Sequence, residues 1–261
     1  MLGERNKHNL GSLREPFKLK EGSASFETRT TLREFEDNPD KIVREEPMIN
    51  DSIDESIIYY SNLRKLFEEM CNKYGINMPD IDMVIGEKGN GQKYVFMVVD
   101  KIEGENLVNL QSLPEKEKEK FETFYLGLLR STFDAYKSRK PFFSDSVDRN
   151  IMYGHKSKEK DGQEDFFLID VGGDGFIREK GEYIVYDHEF FAHVFCTELD
   201  LHDFEIKFGE NVVLGKIRSK LDEIYRYLVI NKRPELKDFF FKSQSGNMQI
   251  FLNKLTKSFN F

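Results

Sequence analysis

The sequence contains no tryptophan, only two cysteines (Cys71 and Cys196) and seven prolines among 261 residues. Two cysteines leave no disulfide framework and no Cys-rich zinc site. No tract is long and apolar enough to span a bilayer. The first residues, Met1-Leu2-Gly3-Glu4-Arg5-Asn6-Lys7, are too polar for a signal peptide, so a cytoplasmic location is expected. No internal repeat is present, and 39% hydrophobic with 33% charged residues argues against disorder, collagen-like repeats and coiled coil. Aromatic content is instead concentrated in 24 phenylalanines, which predicts a core built largely on Phe and Ile. The formal net charge of −8 is unevenly placed. Residues 216–261 carry ten Lys/Arg and four Asp/Glu, net +6, against −14 for the chain before them.

Periodicity predicts a β-β-α-β-β order for the first hundred residues. Residues 30–36 alternate as a strand, Asp37-Asn38-Pro39-Asp40 is turn-forming, and Lys41-Ile42-Val43-Arg44 begins a second strand. Ser52-Ile53-Asp54-Glu55 forms a capping box before Ile53, Ile57, Tyr60, Leu63, Phe67, Met70 and Tyr74, one face of a helix that stops at Gly75. Residues 81–86 and 93–99 read as two more strands, split by Gly89-Asn90-Gly91. From Pro114 a long helix is expected, with Phe121, Phe124, Tyr125, Leu128, Leu129, Phe133 and Tyr136 in one stripe. Two strands follow, 150–153 and 166–169, joined by a polar hairpin, and the remainder is mostly helical. The expected fold class is α+β, with a sheet-rich part at 1–100 and a mainly helical part at 101–261.

The chemistry is concentrated in Phe143-Ser144-Asp145-Ser146-Val147-Asp148-Arg149-Asn150 and in Leu168-Ile169-Asp170-Val171-Gly172-Gly173. An Asp five residues before an Asn, then a hairpin, then an Asp followed by glycines is the order of parts that phosphoryl transfer to a hydroxyl needs. One carboxylate orients the attacking group and accepts its proton. An amide oxygen and a second carboxylate hold Mg²⁺ on the nucleotide phosphates. Any one of these residues alone would read as a turn-former. Their joint order is what carries information.

In this order the chain resembles the protein-kinase-like superfamily, which includes the aminoglycoside and choline kinases. The resemblance implies a bilobal fold, with a small β-rich N-lobe bearing one helix and a reduced, mainly helical C-lobe. It implies ATP and Mg²⁺ (or Mn²⁺) as cofactors. Asp145 looks like the catalytic-loop Asp, Asn150 like its metal-binding Asn, and Asp170 like the metal-binding Asp of Asp-Phe-Gly, here Asp170-Val171-Gly172. Lys20-Glu21-Gly22-Ser23-Ala24-Ser25-Phe26 occupies the place of the glycine-rich loop, retaining Gly22, so that Gly22, Ser23 and Ser25 would cover the nucleotide. Arg44 stands where the phosphate-binding Lys is expected, with Glu55 as its candidate carboxylate partner. Val98-Val99-Asp100-Lys101-Ile102-Glu103-Gly104 resembles the hinge, whose backbone at Asp100 and Ile102 would bind adenine.

The departures shape the functional expectation. Ser144 replaces the Arg before the catalytic Asp, Val147 replaces a Lys two residues after it, and no Ala-Pro-Glu follows Gly173. The reading is therefore an atypical kinase, similar to compact effector kinases that pathogens deliver into host cells. A small-molecule (antibiotic or alcohol) kinase and a pseudokinase acting as a binding module are the alternatives. The acceptor is a protein or small-molecule hydroxyl, and no nucleic-acid partner is expected. Lys216, Arg218, Lys220, Arg226, Lys232 and Arg233 are either a solvated helix face or a contact for a polyanion such as an inositol phosphate, or for an anionic membrane. His188, His193 and Cys196 lie close in sequence, yet a five-residue His spacing does not suit a helical zinc pair, and a structural or substrate-facing role is expected.

Overall fold

The computed structural model describes residues 23–24, 31–36, 38–48, 53–87, 93–113, 115–146, 148–159, 162–170, 176–177, 183–209, 214–242 and 248–259. The fold is α+β, as expected. Its contacts divide the chain into two units: residues 1–62, 79–103 and 155–163 form unit 1, and residues 63–78, 104–154 and 164–261 form unit 2.

Unit 1 is built on an antiparallel sheet in the order β1-β2-β3-β5-β4. Its strands are β1 (Ser23–Ala24), β2 (Thr31–Glu34), β3 (Lys41–Pro47), β4 (Ile81–Glu87) and β5 (Lys93–Asp100). The predicted strands match β2 to β5 within a few residues. Side chains alternate across β3 because the strand period is two. Val43 faces a small core with Phe35, Phe96 and Val98, and partly buried Tyr94 packs against it. Arg44 and Glu46, two residues apart, share the other face of the strand.

The helix α1 (Ile53–Tyr74) begins and ends where its capping box and Gly75 predict. Gly75 takes a φ of 67°, and its amide donates to the Cys71 carbonyl at 3.2 Å. That left-handed termination disfavours any residue with a Cβ. The first turns of α1 belong to unit 1 and the rest to unit 2, where Leu63, Phe67 and Met70 are buried.

Unit 2 is helical, with α2 (Glu115–Lys137), α3 (Tyr183–Phe208), α4 (Gly215–Asn231), α5 (Arg233–Lys242) and α6 (Met248–Phe259). The predicted stripe of α2 is buried from Phe121 to Tyr136. Phe121 stacks on Phe204 with ring centroids 4.4 Å apart, and Tyr136 on Phe190 at 3.8 Å. The phenylalanine excess is thus the packing material between α2 and α3. Gly127 is required by close approach, because a Cβ there would lie 2.6 Å from the Tyr74 carbonyl oxygen.

Among the described residues, four short strands escape the periodic signal: β1, β6 (Ile102–Asn106), β7 (Phe142–Phe143) and β10 (Phe176–Ile177). β6 pairs with β8 (Ile151–Lys156), which pairs in turn with β9 (Asp165–Leu168), while β7 pairs with β10.

The hairpin tip after β8 is fastened within unit 1. Ser157 donates its backbone N–H to the Lys101 carbonyl at 2.9 Å, and its hydroxyl lies 2.7 Å from Asp40 and 2.9 Å from Glu103. Lys158 bridges Asp80 at 3.0 Å and also reaches the buried carboxylate of Asp100.

Part of the basic surplus of the last helices is answered inside unit 2. Lys216 pairs with Glu122 at 2.8 Å, Arg218 with Glu198 at 2.6 Å and Glu205 at 2.7 Å, and Lys232 with Asp187 at 3.0 Å. Lys220 pairs with Glu223 of its own helix at 2.9 Å. Charge complementarity thus matches Lys216, Arg218 and Lys232 to carboxylates of α2 and α3.

Candidate active site

Two loops carry the acidic residues, and paired strands hold each loop at both ends. The loop from β7 to β8 contains Asp145, Asp148 and Asn150. The loop from β9 toward β10 begins with Ile169 and Asp170. β8 and β9 run antiparallel with Ile151 opposite Leu168, and β7 and β10 with Phe143 opposite Phe176. The β8–β9 ladder continues one step further, where the Ile169 amide donates to the Asn150 carbonyl at 2.8 Å. Asp170 is the next residue. The structure therefore brings Asn150 and Asp170 to the same end of one ladder, although 20 positions separate them in sequence.

Asn150 is buried in a single 3-10 turn, Asp148–Asn150. Its side-chain Nδ2 donates to the Asp145 carbonyl at 2.9 Å. That bond closes the five-residue loop on itself and fixes which amide atom is left to act as a ligand, namely Oδ1. Asp145 is partly exposed, with Arg149 Nη2 3.9 Å from its carboxylate.

Helix α3 supports this loop on either side of Asp145. His193 donates Nδ1–H to the Ser144 carbonyl at 3.0 Å. Burial holds its pKa down at about 4, with the Ser144 bond opposing, so the ring is neutral at physiological pH. Seven residues along the same helix, Asp200 accepts the backbone N–H of Asp148 and the hydroxyl of Tyr125, the latter at 2.9 Å. Burial, reinforced by the Asp148 carboxylate, pushes the Asp200 pKa up to about 7. Cys196 lies on the same face of the helix, and its thiol pKa is raised by burial and then by Asp200.

Of the residues considered as a rival metal site, His193 is thus committed to the loop and His188 lies 3.4 Å from Asp238. Asp187 accepts from Tyr136 at 2.7 Å and from Arg139 and Lys232 at 3.0 Å each. Among the described residues, no group of three or more His, Cys, Asp or Glu is arranged to hold a metal. One amide oxygen and one carboxylate do suit Mg²⁺, which is held by few protein oxygens together with substrate phosphates and water. The donor set of Asn150 and Asp170 therefore fits that ion.

In unit 1, the Arg44 guanidinium Nε lies 2.7 Å from Glu46 Oε1, and Tyr60 of α1 donates its hydroxyl to Glu46 Oε2 at 3.0 Å. Glu46, of its own strand, thus stands beside Arg44, and Glu55 is exposed on α1. The signal was present in the sequence, since residues two apart on a strand share a face. The Asp100 amide donates to the Asp80 carbonyl at 3.0 Å, and its carboxylate lies 3.3 Å from Lys41. Ile102 opens β6. Ser23 lies in β1, whereas Gly22 and Ser25 fall outside the described residues, as do Val171, Gly172 and Gly173. Asp200 and Tyr125 are loop supports that sequence reasoning missed, while His193 has the structural role expected of it. A His and an Asp seven apart on a predicted helix gave the only available hint.

No protein family profile matches this sequence, and no curated protein does. Solved structures similar to the chain include that of vaccinia related kinase 3, at 15% identity and a TM-score of 0.39, covering 62% of this chain and 48% of that one. Two structures of the protein WbdD are also similar. One, described as a bifunctional kinase-methyltransferase, has 17% identity, a TM-score of 0.36, and coverage of 69% of this chain and 38% of that one. The other has 13% identity, a TM-score of 0.39, and coverage of 91% of this chain and 50% of that one. The chain spans half the length of these relatives or less.

Proposed function

We propose that this chain is an ATP- and divalent-metal-dependent phosphotransferase acting on a hydroxyl acceptor, an atypical kinase in its departures from the usual motifs. The observation that carries the reading is the placement of Asn150 and Asp170 at the end of the β8–β9 ladder, with Asn150 also holding the loop of Asp145. Mg²⁺ or Mn²⁺, when bound, neutralises phosphate charge as it develops. Asn150 and Asp170 hold that ion. Asp145 orients the acceptor hydroxyl and takes its proton, and partial exposure suits a group that must meet an outside substrate. Arg44 binds phosphate through a planar fork where related enzymes use a lysine. The carbonyl of Asp100, whose amide is already bonded to Asp80, and the backbone of Ile102 supply the edge for adenine.

The test separates binding from transfer. Asp170→Ala is expected to stay folded and to lose both metal-dependent nucleotide binding and phosphoryl transfer. Asp145→Ala is expected to keep binding in a calorimetric titration with ATP and Mg²⁺ or Mn²⁺, while transfer falls about 10²–10⁴-fold. Wild-type transfer in Asp170→Ala would show the site to be misplaced. Transfer to small alcohols alone would make the acceptor a small molecule, and nucleotide binding without any transfer would make the chain a binding module.

A further inference from the structure

The face of β3 that carries Arg44 holds an arrangement that the reading of Arg44 as a phosphate binder leaves unused. Glu46 is buried beside Arg44: Arg44 Nε lies 2.7 Å from Oε1 as an ion pair, and the Tyr60 hydroxyl donates to Oε2 at 3.0 Å. A buried carboxylate is retained only where such donors hold it. Tyr60 is itself buried, and Tyr59 packs edge-on against its ring with centroids 5.1 Å apart. The hydroxyl is thus delivered from a fixed position on α1. On the opposite face of the strand, Glu45 lies 3.3 Å from Arg33, so each face of β3 carries its own Arg–Glu pair.

Arginine has several soft torsions, and its fork binds phosphate well only when its plane is set beforehand. The ion pair between Nε and Glu46 holds that end of the side chain in place. Glu46 is in turn oriented by a hydrogen bond from a different element.

We infer that Tyr60 and Glu46 are positioning residues for Arg44, forming a relay in which helix α1 fixes the guanidinium through the Glu46 carboxylate. The inference rests on the proposed phosphotransferase reading and on the role of Arg44 within it. It adds a tyrosine and a strand glutamate to the setting of Arg44, for which the sequence had offered Glu55. The step is one of orientation, with no group transferred among the three residues.

The test is a double-mutant cycle on turnover of ATP with Mg²⁺, with the melting temperature of each protein recorded in the same samples. Tyr60→Phe removes one oxygen and keeps the ring. It is expected to lower kcat about fivefold to tenfold with a smaller change in KM, because placement of the guanidinium matters most when phosphate charge shifts in the transition state. Glu46→Gln should lower kcat at least as much. The double variant should be no worse than Glu46→Gln alone, since Tyr60 acts only through Glu46. Multiplicative effects, or wild-type turnover in Tyr60→Phe alongside strongly impaired Arg44→Ala, would overturn the relay and leave the phosphate-binding role of Arg44 standing. A fall in turnover that merely tracks loss of folded protein would overturn it as well. Wild-type turnover in Arg44→Ala would instead remove the role of Arg44 itself, and the relay with it.

Discussion

His193 and Asp200 hold the same loop from the same helix, yet their protons act on stability in opposite directions. The folded pKa of His193 is about 4, below its ordinary 6.5. Between those values the unfolded chain binds a proton that the folded chain refuses, so stability contributed here is lost as pH falls from 6.5 toward 4. The folded pKa of Asp200 is about 7, above its ordinary 3.8. The folded chain therefore keeps a proton that the unfolded chain releases, and stability is lost as pH rises from 3.8 toward 7. The slopes integrate to roughly 3 kcal/mol for His193 and roughly 4 kcal/mol for Asp200 across their windows. In the wild type the two largely offset. His193→Asn keeps a donor near the position of Nδ1 and removes the histidine slope, so its stability should decline as pH rises from 4 to 6.5. Asp200→Asn should show the reverse. Urea unfolding at both ends of the window checks the pair, and parallel profiles in the two variants would contradict it. Neither group was legible as a loop support in the sequence, because a hydrogen bond to a carbonyl 49 positions away leaves no periodic trace.

At the scale of elements, α4 begins without a cap of its own. Leu214 at its N-cap offers no side-chain acceptor. The acceptor comes from α2, where Glu122 Oε1 takes the Lys216 amide at 2.9 Å and Oε2 takes the Lys216 ammonium at 2.8 Å. Glu122 is almost fully buried and places negative charge at the positive end of the helix. Glu122→Ala should cost about 2–4 kcal/mol, whereas Glu122→Gln, which keeps an acceptor, should cost about 1 kcal/mol. Chemical denaturation distinguishes them, and equal costs would mean that volume and not capping matters. The bounds of α1 and α2 could be read from the sequence because their buried stripes repeat every three or four residues. A cap supplied from 94 residues away could not, and two-residue strands such as β7 are too short to show a period.

At the scale of the whole molecule, the split between an acidic body and a basic end is in part an internal match: Lys216 and Arg218 of α4 and Lys232 just after it meet carboxylates of α2 and α3. The order of strands and helices was legible because each element carries its own pattern. The membership of the two units was not, because residues 155–163 join unit 1 through polar contacts with Asp40, Asp80, Asp100, Lys101 and Glu103. Asp100 is buried and paired with Lys158, whose pKa its partners raise above the ordinary value. A fragment of residues 1–103 lacks that ammonium and should be cleaved readily by protease under conditions in which the whole chain resists. Survival of the fragment would show the hairpin tip to be dispensable. Lys158 reaches Asp100 across 58 positions. During synthesis the first unit therefore leaves the ribosome with its buried aspartate only partly matched, and waits through dozens of further residues for the segment that closes it. Its completion is tied to the emergence of the very hairpin whose base carries Asn150.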